Sequence, residues 1–321
     1  MIVVAGEALV DLVPQEQHGA SGLPPMAPRL GGGPFNVAIA AARLGAPVAF
    51  VSRLSYDSFG AALLDHLRET GVDVRGVQRG SQPTTLAVVG IGAGGSANYS
   101  FYVDGTADRY FDVPAKLPAE VSALAFGTLS MVLEPGATAY ERLLKSMSAQ
   151  GKLIVLDPNI RAELIPDPDT YRARFLSWLP HVDIVKVSEE DALWLTRRDL
   201  GSSDDDAHPD AIHEAFPGWS DPAALVITRG MDGLAVVFGG TESISVPSVA
   251  TEVVDTIGAG DTVVGALLAW LHHHNSLSRD GVRRMGGVQW TSALTFAARA
   301  AAITVSRAGA EPPYLAELGG P

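Results

Sequence analysis

Apolar residues along this chain fall into two alternating patterns. Short continuous runs occur at residues 2–6, 48–52, 123–126, 153–157, 183–187 and 224–228. Stretches with helical apolar spacing lie between or beside them at 34–44, 58–70, 137–150, 170–179 and 189–197. An apolar run without polar alternation suits a strand covered on both faces. Such strands, alternating with helices, predict an α/β fold: a three-layer, doubly wound, mostly parallel sheet. Pro34 fits the first turn of the helix at 34–44, and Gly45 fits its stop. In these sheets ligands bind outside the carboxyl ends of the strands. Gly6-Glu7, Asp157-Pro158-Asn159 and Thr228-Arg229-Gly230 fall at such ends.

Two segments break the alternation. Residues 12–30 are polar and Pro-rich. Residues 84–112 read as strands without helices: one at 84–91, a Gly-rich turn at 92–95, and one at 98–103 carrying aromatics. A hairpin of this kind predicts a small β lid, formed by 12–30 and 84–112, over a core of 1–11, 31–83 and 113–321. Its strand edges suit pairing with a second copy, which makes a homodimer through the lid an expected arrangement. The Asp-rich run within 202–210 reads as a solvated loop.

Candidate chemistry concentrates in two places. Residues 255–261 read Asp-Thr-Ile-Gly-Ala-Gly-Asp and lead into an apolar helical stretch. Glycines at 258 and 260 remove side chains, so backbone N–H groups can converge on an anion at the positive end of a helix. Asp261 could take a proton from an attacking hydroxyl, or it could merely cap the helix. No Lys-Ser or Lys-Thr follows the glycines, so this is not a P-loop. The second place is Gly31-Gly32-Gly33-Pro34-Phe35-Asn36. A glycine triplet before a helix marks close approach of a ligand or of other backbone. Asn36 and the upstream Asp11 supply the mixed donors and acceptors that sugar hydroxyls need.

Together, Gly-Gly-Gly-x-x-Asn-x-Ala near the N-terminus and Asp-Thr-x-Gly-Ala-Gly-Asp near the C-terminus resemble the ribokinase-type (PfkB) family of sugar kinases. The resemblance spans the whole chain. It implies that Asp261 is the catalytic base and that the backbone of Gly258, Ala259 and Gly260 is an anion hole for the transferring phosphoryl group. It implies sugar contacts from Asp11, Gly32, Gly33 and Asn36. Lys186, Ser188, Thr228, Gly230, Gly233 and Gly260 would meet ATP. Ser188 and Asp191 stand where the family has an Asn-x-x-Glu motif linked to Mg2+, so Asp191 is at most an indirect magnesium residue. In many members the segment resembling 302–310 helps bind an activating K+ ion, and Asp255 would be its side-chain ligand here. Pro313 replaces a serine that some members use.

Within the family, Gly6-Glu7-Ala8-Leu9-Val10-Asp11, Ser100-Phe101-Tyr102 and Asp157-Pro158-Asn159-Ile160-Arg161 are similar to bacterial fructokinases. That similarity points first to phosphorylation of D-fructose at its 6-hydroxyl, with Phe101 from the lid over an apolar sugar face. Arg161 could meet a phosphate, or a substrate carboxylate as in 2-keto-3-deoxygluconate kinases, which are the alternative. Ribokinase and other sugar kinases of the family rank below these.

Composition narrows the remaining classes. The 321-residue chain carries a net charge of −13, which opposes binding to nucleic acid or anionic membrane. It has no cysteine, hence no disulfide framework, thiolate metal site or Cys nucleophile. No apolar run approaches the roughly 20 residues that cross a bilayer, so a cytoplasmic protein is expected. A nicotinamide dehydrogenase is disfavoured because no Gly-x-Gly-x-x-Gly follows the first strand. A catalytically silent sensor would have no use for Asp261. His272, His273 and His274 point in three directions on a helix and read as its last turn rather than a metal site.

Overall fold

The computed structural model describes residues 1–15, 24–91, 97–197, 221–240 and 242–320. The Gly-rich turn expected at 92–95 and the acidic loop at 202–210 lie outside the described residues. The main sheet has eight strands in the order β14-β13-β12-β11-β10-β9-β1-β4. They are β1 (Ile2–Ala5), β4 (Val48–Val51), β9 (Ala123–Gly127), β10 (Leu153–Asp157), β11 (Ile184–Ser188), β12 (Ala224–Thr228), β13 (Leu234–Phe238) and β14 (Glu242–Val246). The first six of these are the runs read from the sequence, and all six are parallel. β13 and β14 add an antiparallel edge that the sequence reading missed.

The apolar runs are buried on both faces. Along β1, Ile2 and Val4 enter one packed layer, and Val3 and Ala5 enter the other. The first layer holds α1 (Gly33–Arg43), α2 (Ser58–Glu69), α6 (Ala259–His273) and α8 (Gly287–Val305), with a short α7 (Arg279–Arg283) between the last two. The second holds α3 (Gly136–Ala149), α4 (Pro168–Trp178) and α5 (Glu189–Thr196). Thr262, Val263 and Val264 are β-branched, yet they sit inside α6. Their helix propensity costs only tenths of a kcal/mol each, whereas burying a Val side chain is worth about 1.5–3 kcal/mol. Packing therefore decides the local structure. As expected, the histidine run ends α6: His274 caps it, and His273 Nε2 lies 2.8 Å from the Leu44 carbonyl.

A second sheet of four strands, ordered β3-β2-β7-β8, stands over the carboxyl ends of the first. It comprises β2 (Leu9–Pro14), β3 (Met26–Gly31), β7 (Leu86–Ile91) and β8 (Ala97–Tyr102). β2 starts at Leu9, so residues 9–11, Asp11 among them, lie on a lid strand although assigned above to the core. A small parallel pair, β5 (Arg53–Ser55) with β6 (Gln78–Gly80), forms a third sheet.

Candidate active site

Two helices bring the site together. Gly265 of α6 faces Ala40 and Ala41 of α1 so closely that a Cβ on Gly265 would lie 2.6 Å from the Ala40 Cβ. Small residues therefore let the helices run side by side, with their first turns at the carboxyl end of the sheet. There the Asn36 side-chain amide donates to Asp261 Oδ2 at 2.8 Å, a bond between residues 225 positions apart. Neither residue caps its own helix. Gly258 is the N-cap of α6, in the left-handed region at φ 75, and no side chain caps it. A Cβ at Gly258 would also meet the Ala310 Cβ at 2.6 Å, so the position requires glycine.

These first turns floor a cleft of about 280 Å³, close to the lower bound for small-molecule sites. Asp11, Gly32, Gly33, Asn36, Phe101, Arg161, Lys186, Gly258, Gly260 and Asp261 all line it. Gly32 must be small: at φ 111, its Cβ would sit 3.0 Å from the Glu7 carbonyl. The lid contributes Phe101 and Tyr99, whose rings stack 6.0 Å apart. Phe101 also packs against the Leu9, Ala87 and Leu129 cluster, so it serves both lid packing and the cleft wall.

Burial shapes the electrostatics. It pushes the Asp261 carboxyl up, while the Asn36 amide, Lys186 and Arg161 pull it back. Burial also pushes Asp11 up to about 6, against the opposing pull of Arg161. Lys186 is buried, with Nζ 2.9 Å from Asp157 Oδ2. Burial alone would lower its pKa, but Asp157, Asp191 and Asp261 more than offset this and raise it. The ammonium sits against the first turn of α6, 2.8 Å from where a Cβ on Gly260 would be. A dry cation, a helix N-terminus and a carboxylate thus converge on one cleft. That set can stabilise a transferring anion and take a proton from its acceptor.

Comparison with known proteins agrees. A family model described as pfkB family carbohydrate kinase matches residues 1–316. The chain belongs to the pfkB family of carbohydrate kinases. A fructokinase from Rhizobium leguminosarum bv. trifolii is 38% identical over 286 residues, covering 87% of this chain and 82% of that protein. The crystal structure of a Xylella fastidiosa fructokinase with bound ATP superposes with a TM-score of 0.85 at 29% identity, covering 99% of this chain and 96% of that one. A double-mutant fructokinase from Vibrio cholerae O395, with fructose, ADP and a potassium ion bound, gives a TM-score of 0.81 at 26% identity, covering 99% of this chain and 96% of that one. The ribokinase-like fold and the sugar-kinase class expected from the two motifs are thereby shown.

Other residues expected at the site of this pfkB kinase have different surroundings. Ser188 and Asp191 form a capping box on α5: Ser188 Oγ accepts from the Asp191 N–H, and Asp191 Oδ2 accepts from the Ser188 N–H, both at 3.0 Å. Asp191 Oδ1 accepts from the Ile160 N–H at 2.8 Å. Thr228 Oγ1 reaches the Val187 carbonyl at 3.4 Å. Gly230 and Gly233 take positive φ at the end of β12, where a Cβ on Gly233 would strike the Val246 carbonyl at 2.1 Å. Asp255 closes its loop, Oδ1 accepting from the Ile257 N–H at 3.0 Å and Oδ2 from the Gly309 N–H at 2.8 Å. None of Ser188, Asp191, Thr228, Gly230, Gly233, Asp255 and Ala259 lines the 280 Å³ cleft. Conversely, Glu7, Tyr99, Thr128, Asn159, Thr256 and Ile257 line it although the sequence reading gave none of them a role. Glu7 and Asn159 stand at the strand ends noted in the sequence, where ligands of such sheets bind. Thr128 carries no sequence signal, because its place depends on the turn after β9.

Proposed function

We propose that this kinase transfers the γ-phosphoryl group of ATP to the 6-hydroxyl of D-fructose. The observation that carries the reading is the Asn36–Asp261 bond at the floor of the cleft, where two helix N-termini meet beneath a lid. Asp261 accepts the proton of the attacking hydroxyl, and Asn36 holds the carboxylate in place. The N–H groups at the start of α6, with Lys186 beside them, meet the charge on the transferring group. Asp11, Gly32, Gly33, Asn36 and Phe101 hold the sugar. Thr228, Gly230 and Gly233 serve the nucleotide from the end of β12.

Magnesium would arrive on the ATP phosphates and supply charge neutralisation there. Both oxygens of Asp191 are engaged by backbone N–H groups, which suits a structural role better than direct ligation. Asp157 Oδ1 is buried without a hydrogen-bond partner and fits a water of the ion's hydration shell. Each Asp255 oxygen accepts one N–H bond and keeps further acceptor capacity, which fits a monovalent cation otherwise held by carbonyls. ADP release with magnesium-ATP and a panel of fructose, 2-keto-3-deoxygluconate and ribose tests the reading. Turnover on fructose is expected. Arg161 favours the second sugar, since it lines the cleft and, among the described residues, bonds the Asn159 side chain and two backbone carbonyls but no carboxylate. Turnover on 2-keto-3-deoxygluconate alone would reassign the substrate.

No helix among the described residues is long and apolar enough to cross a membrane. A second copy would pair along the outer strands of the lid, β3 or β8, and sedimentation distinguishes that dimer from a monomer.

A further inference from the structure

Glu7, just past the end of β1, is a carboxylate with 1% exposure. Burying a carboxylate costs several kcal/mol unless directional bonds offset it. Here three donors do so. Thr128 Oγ1 donates to Oε1, and the Ser130 hydroxyl and backbone N–H donate to Oε2, the N–H at 3.0 Å. Both partners belong to the turn that follows β9. Thr128 is held at φ 55, a left-handed conformation that a β-branched residue adopts only under constraint.

The constraint is aimed at the site. The Thr128 side chain lies where Gly33 comes closest, so that a Cβ on Gly33 would be 2.5 Å from Thr128 Cγ2. Gly33 begins α1, and one turn later Asn36 bonds Asp261. On the other side, the Glu7 backbone carbonyl backs Gly32. Glu7 and Thr128 both form part of the cleft wall. A contiguous set of contacts therefore runs from the Glu7 carboxylate through Thr128 and the first turn of α1 to the base.

We infer that Glu7 is a positioning residue for the sugar: through Thr128 it seats the Gly32–Asn36 turn against which the acceptor hydroxyl is aligned. This rests on the kinase reading above. A displacement of the order of 1 Å at the reacting atoms costs up to about 100-fold. Glu7→Gln removes the charge and one acceptor, and Thr128→Val removes the hydroxyl while keeping the branched shape.

The test is a double-mutant cycle on the full chain, read as KM for sugar, KM for ATP, kcat and Tm. Each single variant is expected to raise the sugar KM about 10-fold and lower kcat several-fold, with the ATP KM within two-fold. The double variant is expected to be no worse than the worse single one, because both act through one contact. If Glu7→Gln does not fold, Thr128→Val alone carries the KM split. Sugar binding is also measured by calorimetry. A wild-type protein that binds sugar without turnover would sink the functional reading and leave this test running. Variants with lowered Tm but sugar KM, sugar affinity and kcat within two-fold of wild type would overturn the inference, as would strictly additive effects.

Discussion

The first turns of α1 and α6 and the first turn of α5 are built from similar materials but spend them differently. Each places short polar side chains at the start of a helix, at the carboxyl end of the sheet: Asn36 in α1, Asp261 in α6, and Ser188 with Asp191 in α5. In α5, Ser188 and Asp191 turn inward and satisfy each other's backbone N–H groups. In α1 and α6, Asn36 and Asp261 ignore their own helices and bond across to each other, and both line the cleft. The difference arises from what starts each helix. Gly258 and Gly32 leave the starts of α6 and α1 without a side-chain cap, and both glycines line the cleft. Ser188 closes that of α5. A carboxylate near a helix start is thus free for chemistry where the cap is glycine and committed to structure where the cap is a hydroxyl.

The sharpest way to break this contrast is Asp261→Asn. Loss of a positioned general base costs about 10²–10⁴ in rate, so kcat should fall by that range while ATP affinity stays within a few-fold. Steady-state turnover with ATP titration by calorimetry measures both. Survival of turnover within a few-fold would show Asp261 to be structural like Asp191.

Gly258→Ala comes next. The φ of 75 costs an L-residue about 1–2 kcal/mol, and the contact with Ala310 adds to it. A clear drop in Tm should accompany loss of activity, because the 308–310 segment would move with the loop. Unchanged Tm and kcat would mean that the close approach at Gly258 is dispensable.

Much of this was legible in the sequence because it rests on local rules. Six parallel strands were marked by apolar runs, and α1 by Pro34 and Gly45. The glycines at 32 and 258 marked two backbone positions that admit no side chain. What stayed hidden depends on tertiary contact. Nothing local distinguishes Asp261 as a cap from Asp261 as the partner of Asn36, since the deciding bond spans 225 residues. Thr128 enters the site only through a turn conformation that its residue type disfavours. Of the two edge strands, β13 is a continuous apolar run, Leu-Ala-Val-Val-Phe, that the same rule marks and the reading overlooked, whereas β14, Glu-Ser-Ile-Ser-Val, alternates over too few residues to stand out.

Acidity offers a milder test. Burial raises Asp261 and pushes Asp11 up to about 6 and Glu7 up to about 7. Unfolded, these groups titrate near 4. Between roughly pH 5 and 7 the folded chain therefore holds protons that the unfolded chain has released, so these carboxyls make stability decline as pH rises. Activity has the opposite sign, because Asp261 must be ionised to accept a proton. Acids with depressed values, such as Glu141 at about 2, gain their stabilising effect at lower pH and are already ionised in this window. kcat/KM is expected to rise, and Tm to fall, across the same interval. An acid limb near pH 4 in the rate profile would contradict the buried setting of the cleft.

The smallest effect belongs to Asp191→Ala, and it tests the contrast from the other side. Its carboxylate accepts N–H bonds from Ser188 and Ile160, joining the start of α5 to the loop after β10. Losing a cap of this kind costs about 1 kcal/mol. Tm should therefore fall by a few degrees for a chain of this size, with kcat reduced only several-fold. The Lys186 ammonium would lose one of the three carboxylates that raise its pKa, but it keeps its direct partner Asp157. A loss of kcat approaching that of Asp261→Asn, with Tm unchanged, would reverse the assignment. Asp191 would then be working on the phosphates, and the capping box would be incidental to it.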